Sequence, residues 1–127
     1  MEFTIATEAQ ERSYTDSRGI VWRFKVRPAF GDDVNRAARA AGVKAWSSLE
    51  PFSPEALDLE RNVVTACLER FVSVTAPDGS EVKVNGKPAT DPDVWPLVVR
   101  SHMALAIAIA TEASLLGNLV ENERGNS

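Results

Sequence analysis

The side chains in this sequence that can do chemistry are few and scattered. There is a single histidine, His102, and a single cysteine, Cys67. No cysteine or second histidine stands at ligand spacing from His102, so a zinc-type metal site is not expected. Ser101 directly precedes His102, and adjacent residues on a helix point about 100° apart, which separates a nucleophile from its base. Histidine titrates near neutrality and is the side chain best suited to proton transfer, yet inside a helical stretch His102 reads as a structural residue. Cys67 lies among Val64, Ala66 and Leu68, and a thiol buried in such company has a raised pKa and little reactivity. Two acid pairs, Asp32-Asp33 and Asp91-Asp93, each flank a predicted helix start, where capping accounts for them. The sequence carries no glycine-rich phosphate loop and no Gly-x-Ser-x-Gly elbow. No catalytic, cofactor-binding or metal-ligating residue is therefore assigned, and the chain is expected to be a binding or assembly protein, not an enzyme.

Composition points the same way. With 127 residues, 44% of them hydrophobic and 25% charged, the chain is long enough for one core without disulfides or metal. Its formal charge of -4 argues against a general nucleic-acid binder. The basic set Arg23, Lys25 and Arg27 alternates with Trp22 and Phe24, so the aromatics turn inward and the charges form a solvated strand face. One cysteine cannot form an intramolecular disulfide, and Met1-Glu2-Phe3-Thr4 lacks the basic and apolar regions of a secretory signal, so a cytoplasmic location is expected. The most apolar stretch, Leu97 to Leu116, is interrupted by Arg100, His102 and Glu112. It reads as a buried helix and not as a membrane span.

The positioning elements follow from periodicity. Ile20, Trp22, Phe24 and Val26 share one face of a strand. Asp16-Ser17-Arg18-Gly19 supplies a turn that lets Tyr14 and the residues before it return antiparallel. Val34, Ala37, Ala38 and Ala41 give a short amphipathic helix from Gly31 that Gly42 stops. Val43 to Phe52, with Trp46, has no period and reads as a loop. Ser53-Pro54 starts a second helix, serine as N-cap and proline at the first position, whose apolar face runs through Leu57, Val64, Leu68 and Phe71. Val72 to Val84 is predicted to be a second hairpin turning at Pro77-Asp78-Gly79-Ser80. Asn85-Gly86 makes another turn, and either Asp91 or Asp93 caps a last helix from about Val94 to Leu116, closed by Gly117-Asn118. The expected fold is α+β: one domain over residues 1–120, two β-hairpins packed with one short and two long helices, and a flexible polar tail at 121–127. Its predicted core is Trp22, Phe24, Leu57, Val64, Leu68, Phe71, Leu105 and Ile109.

The run Val21-Trp22-Arg23-Phe24-Lys25-Val26-Arg27-Pro28-Ala29-Phe30-Gly31-Asp32-Asp33, followed late in the chain by Trp95-Pro96-Leu97-Val98-Val99, resembles the opening strand, Arg-Pro turn and closing apolar helix of the tail assembly chaperones of long-tailed bacteriophages. Related baseplate and hub assembly proteins open in a similar way. The resemblance implies a protein of the host cytoplasm, without catalytic residues, that binds the tail tape-measure protein and helps recruit the tail-tube protein. A small structural virion or baseplate component is the alternative, distinguished by its presence in purified particles. A small enzyme is the third reading, and it requires His102 and a carboxylate to converge in a pocket.

The closing helix also suggests where a partner binds. Val98, Leu105, Ile109 and Leu116 make one stripe, and Val99, Met103 and Ala106 to Ala110 widen it beyond what a one-sided helix needs. A small domain has few elements with which to surround such a helix. Trp95, Val99 and Met103 are therefore the expected partner-binding residues, for the tape-measure protein or for a second copy of the chain, with Trp95 as anchor.

Overall fold

Alternation in strand β3 (Val21–Val26) organises the sheet: Trp22, Phe24 and Val26 are buried, while Arg23 is exposed. In the computed structural model, which describes residues 2–45, 49–118 and 120–121, β3 lies between β2 (Gln10–Thr15) and β4 (Leu68–Thr75) in an antiparallel three-stranded sheet. The first hairpin is as expected, with Tyr14 opposite Trp22 and Gly19 at a φ of 83° in its turn. A two-residue strand β1 (Phe3–Thr4) precedes it and pairs with another near the far end of the chain.

Helix α1 (Gly31–Ala40) buries Ala37 and Ala38. Gly42, at a φ of 78°, lets Gly42 N–H reach Arg39 O and Val43 N–H reach Ala38 O, the Schellman arrangement that ends a helix at glycine. Helix α2 (Pro54–Cys67) starts as predicted, with Ser53 Oγ accepting from the Ala56 N–H at 3.2 Å. It stops sooner than its pattern suggests. Leu68 is already extended, and β4 follows Cys67 with no loop between them. The cause lies elsewhere in the chain: Arg27 donates its N–H to Cys67 O at 2.9 Å and its Nε–H to Ala66 O at 3.0 Å, placing a cation on the carbonyl end of α2. Arg27 is therefore a helix-capping residue and not part of a solvated strand face.

Leu68 and Phe71 thus belong to a strand and not to the helix face assigned from their spacing. Phe71 and Val74 both point inward although they stand three positions apart, an odd spacing, because the β3–β4 register shifts between Arg23 and Phe24 and again between Lys25 and Val26. Each shift inserts an extra residue into β4 and reverses its alternation. The predicted second hairpin is correspondingly reduced. The turn at Pro77–Ser80 forms and Thr75 bridges Glu81, but β4 spends its length on β3. The returning strand β5 (Lys83–Val84) pairs with β6 (Lys87–Pro88) across Asn85-Gly86, whose positive φ angles of 52° and 80° suit a two-residue turn.

The long closing helix is two helices. Helix α3 (Trp95–Ser101) and α4 (Met103–Leu116) meet at His102 with a bend of 105°. Neither Asp91 nor Asp93 caps α3. Asp91 instead accepts from the Asp93 N–H at 2.9 Å, in a turn one step earlier, and Val94 occupies the N-cap. Helix α4 runs through the centre, burying Leu105, Ala106, Ile109, Ala110 and Ala113 against α2 and the sheet. Among the described residues no single helix is long and apolar enough to cross a membrane.

The fold is α+β, as expected. Six of the predicted core residues are buried, whereas Leu57 and Leu68 are only partly so. Trp46 and residues 122–127 lie outside the described residues. Residue 121, expected to begin the tail, instead closes β7 (Val120–Glu121), the antiparallel partner of β1.

Two stability measurements test this arrangement. Phe71→Ala should lose roughly 3–5 kcal/mol in urea unfolding and Leu68→Ala less than about half of that; equal losses would contradict the assigned burial. Gly117 sits where a Cβ would collide with the Ala29 carbonyl, next to the Ala29 N–H to Ala113 O bond of 2.9 Å that joins the β3–α1 link to α4. Because backbone cannot move aside as a side chain does, Gly117→Ala should cost about 3 kcal/mol, and an unchanged urea midpoint would refute the contact.

Candidate functional site

The histidine and an aspartate from the first turn do converge, and both are fully engaged. Asp16, 7% exposed, begins the β2–β3 turn. Its Oδ1 accepts from the N–H groups of Arg18 at 2.9 Å and Ile20 at 3.0 Å. Its Oδ2 accepts from Trp22 Nε1 at 3.0 Å and lies 3.1 Å from His102 Nε2. The other ring nitrogen of His102, Nδ1, accepts from the Leu105 N–H at 3.3 Å and so caps the first turn of α4. A nitrogen that accepts in this way carries no proton, which places the hydrogen of the neutral ring on Nε2, donated to Asp16. Trp22 meets the imidazole edge-on, with ring centres 5.5 Å apart.

This pairing looks like the carboxylate–histidine half of a catalytic triad, but its chemistry differs. In a triad the second imidazole nitrogen faces a nucleophile; here it faces a backbone amide within its own helix. His102 is therefore a hinge residue that sets the α3–α4 bend. Burial by itself pushes the Asp16 carboxyl up, but the hydrogen bonds from Trp22, His102, Ile20 and Arg18 outweigh it and bring the group down to about 2.

The other candidate groups are also placed. Cys67 is buried, and burial pushes its thiol up. Asp33 accepts from the Phe30 N–H at 3.0 Å in the first turn of α1, a bond that, with Arg27 beside it, lowers the carboxyl despite partial burial. No three His, Cys, Asp or Glu side chains come together among the described residues in a way that would hold a metal ion.

The residues expected to bind a partner do not share a face. Trp95 and Val99 line a groove of about 400 Å³ between α2 and α3, with Leu68 and Pro96 in its walls and Arg61 and Arg100 also lining it. Trp95 is fixed there: its ring stands edge-on to Phe71 at 5.6 Å and its Nε1 donates to Thr90 O at 3.3 Å. Val99 is buried in the wall. Met103 follows the bend and opens onto a different cavity. A straight helix would have kept the three residues closer to a common side; the His102 hinge separates them. Sequence reasoning missed Asp16 as anything beyond a turn residue. An aspartate opening a turn does signal the Arg18 N–H bond, but nothing local signals Trp22 or His102.

Comparison with protein families, characterised proteins and solved structures finds no match to this chain.

The Asp16 centre has a pH signature. Its carboxyl falls from an ordinary 3.8 to about 2 on folding, so ionised Asp16 stabilises the fold fully above about pH 4 and loses that contribution as pH falls towards about 2. Asp16→Asn would turn an amide N–H₂ against donors and should lose roughly 3 kcal/mol near neutrality, with a shallower acid limb than wild type. Urea midpoints measured across that range test this, and parallel acid limbs would refute the assignment.

Proposed function

We propose that this chain is a tail assembly chaperone of a long-tailed bacteriophage, working in the host cytoplasm by holding an apolar helix of the tape-measure protein in the α2–α3 groove while tail-tube subunits are recruited. The observation that carries the reading is that groove. Its aromatic wall is held by Phe71 and Thr90, and its lining is dominated by Val64, Leu68, Trp95, Pro96 and Val99. An apolar groove with its wall so held suits the capture of one face of an amphipathic helix, because little ordering entropy remains to be lost on binding.

The resemblance of the β3–α1 segment and of the Trp95-Pro96 helix start to tail assembly chaperones supports the choice of partner. The placement of the reactive groups supports a binding role: both His102 nitrogens and both Asp16 oxygens are engaged in hydrogen bonds within the fold, and the Cys67 thiol is buried.

Thr65 is exposed at the edge of the groove, and charge there reaches a bound helix without disturbing the core. Wild-type chain co-expressed with the tape-measure protein should co-purify with it, and sedimentation should show a heterocomplex. Thr65→Glu should weaken the complex by about thirty-fold or more, the scale of an interface hot spot. Absence of a complex, or equal binding by the variant, would overturn the proposal. A wild-type chain that self-associates through the same groove, with Thr65→Glu monomeric, would replace the tape-measure protein by a second copy.

A further inference from the structure

The opposite flank of α3 borders a second cavity, of about 410 Å³, where the α3–α4 elbow faces the β2–β3 turn and the β5–β6 hairpin. Trp22 and His102 line its inner side, and Leu97 and Met103 stand at its mouth. Leu97 and Met103 are each 46% exposed, large apolar side chains that folding leaves against water. Arg18 and Lys83 also line the cavity, and both are exposed. No Asp or Glu is among the residues lining it. Neither cation takes part in an ion pair among the described residues, and the carboxylate nearest to Arg18 in sequence, Asp16, is already saturated by four donors. Arg18 and Lys83 are thus exposed cations in no ion pair among the described residues, on a lining that holds two exposed apolar side chains and no carboxylate.

We propose that this cavity binds a short acidic segment of a partner protein, whose leucine or phenylalanine enters between Leu97 and Met103 while flanking carboxylates meet Arg18 and Lys83. The unbranched, polarisable thioether of Met103 adapts to either side chain, and the cations select against basic segments. The surface is separate from the α2–α3 groove and does not depend on what that groove holds.

The composition of the chain supplies the probes. It contains two methionines, Met1 and Met103, and one histidine. The full chain labelled with ¹³C at its methionine methyl groups is titrated with two dodecapeptides of identical leucine and phenylalanine pattern, one with glutamate and one with lysine at the polar positions. The glutamate peptide should shift the Met103 methyl and His102 ring signals saturably and bind about ten-fold or more tighter than the lysine peptide, with an advantage that shrinks as salt is added. Arg18→Glu with Lys83→Glu should reverse the preference, the milder Arg18→Gln with Lys83→Gln should weaken the glutamate peptide in the same direction, and Thr65→Glu should leave it unchanged. A Met103 signal that neither peptide moves, equal binding of the two peptides, or indifference to both charge variants would overturn the proposal. A Met103 signal that moves with protein concentration alone would also overturn it, by making a second copy the occupant.

Discussion

Four donors converge on the buried Asp16 carboxylate, and the fold is arranged so that they can. Two come from its own turn, one from the central strand and one from a helix hinge 86 residues further along. A buried carboxylate with an unmet hydrogen bond is expensive, so the group tolerates few alternative arrangements of the chain around it. When all four donors are present the turn, the Trp22 indole and the start of α4 are fixed with respect to one another. The imidazole contributes twice, since the nitrogen not facing Asp16 closes the first turn of α4.

That hinge resolves a difficulty set by composition. The stretch from Trp95 to Leu116 is too apolar throughout for a helix on the surface of a small domain, and a straight helix of that length would leave much of its surface in water. Bending it by 105° at His102 lets α4 run through the middle, covered by α2 and the sheet, while α3 lies across the edge and supplies one wall of each of two cavities. Alanines at positions 106, 110 and 113 of α4 keep its neighbours close, and the contact of Gly117 with Ala29 seats its C-terminal end. Both candidate binding surfaces are products of the bend, one on either flank of α3.

The parts of this design that were legible in the sequence are those decided locally. The inward set Trp22, Phe24 and Val26, the Ser53-Pro54 helix start, the Gly42 stop and the Asn85-Gly86 turn all have a reason within a few residues. What was not legible depends on distant partners. Leu68 and Phe71 continue a helical spacing, and only Arg27 on the last carbonyls of α2, with β3 alongside, turns them into a strand. The register shifts opposite Arg23 and Lys25 erase the alternation by which β4 would have been recognised. His102 is an acceptable helix residue until Asp16 comes within reach. Trp95 and Val99 drew attention because the closing stretch is apolar on more than one side, and both line the α2–α3 groove, while Arg18 and Lys83 stood in unremarkable turn and strand positions and drew no notice.

The clasp between β1 and β7 has a kinetic meaning. Phe3 pairs with Glu121 and Thr4 with Val120, so two residue pairs close a loop containing nearly the whole chain. The conformational entropy of joining such distant segments must be lost before the clasp returns any stability, which favours its formation after the sheet and α4 are in place. With so few ladder bonds to break, it is also a natural place for sub-global opening, in which the clasp detaches and reseals while the Asp16 centre stays intact. Folding would then finish, and unfolding begin, at the seam where the two ends of the fold meet.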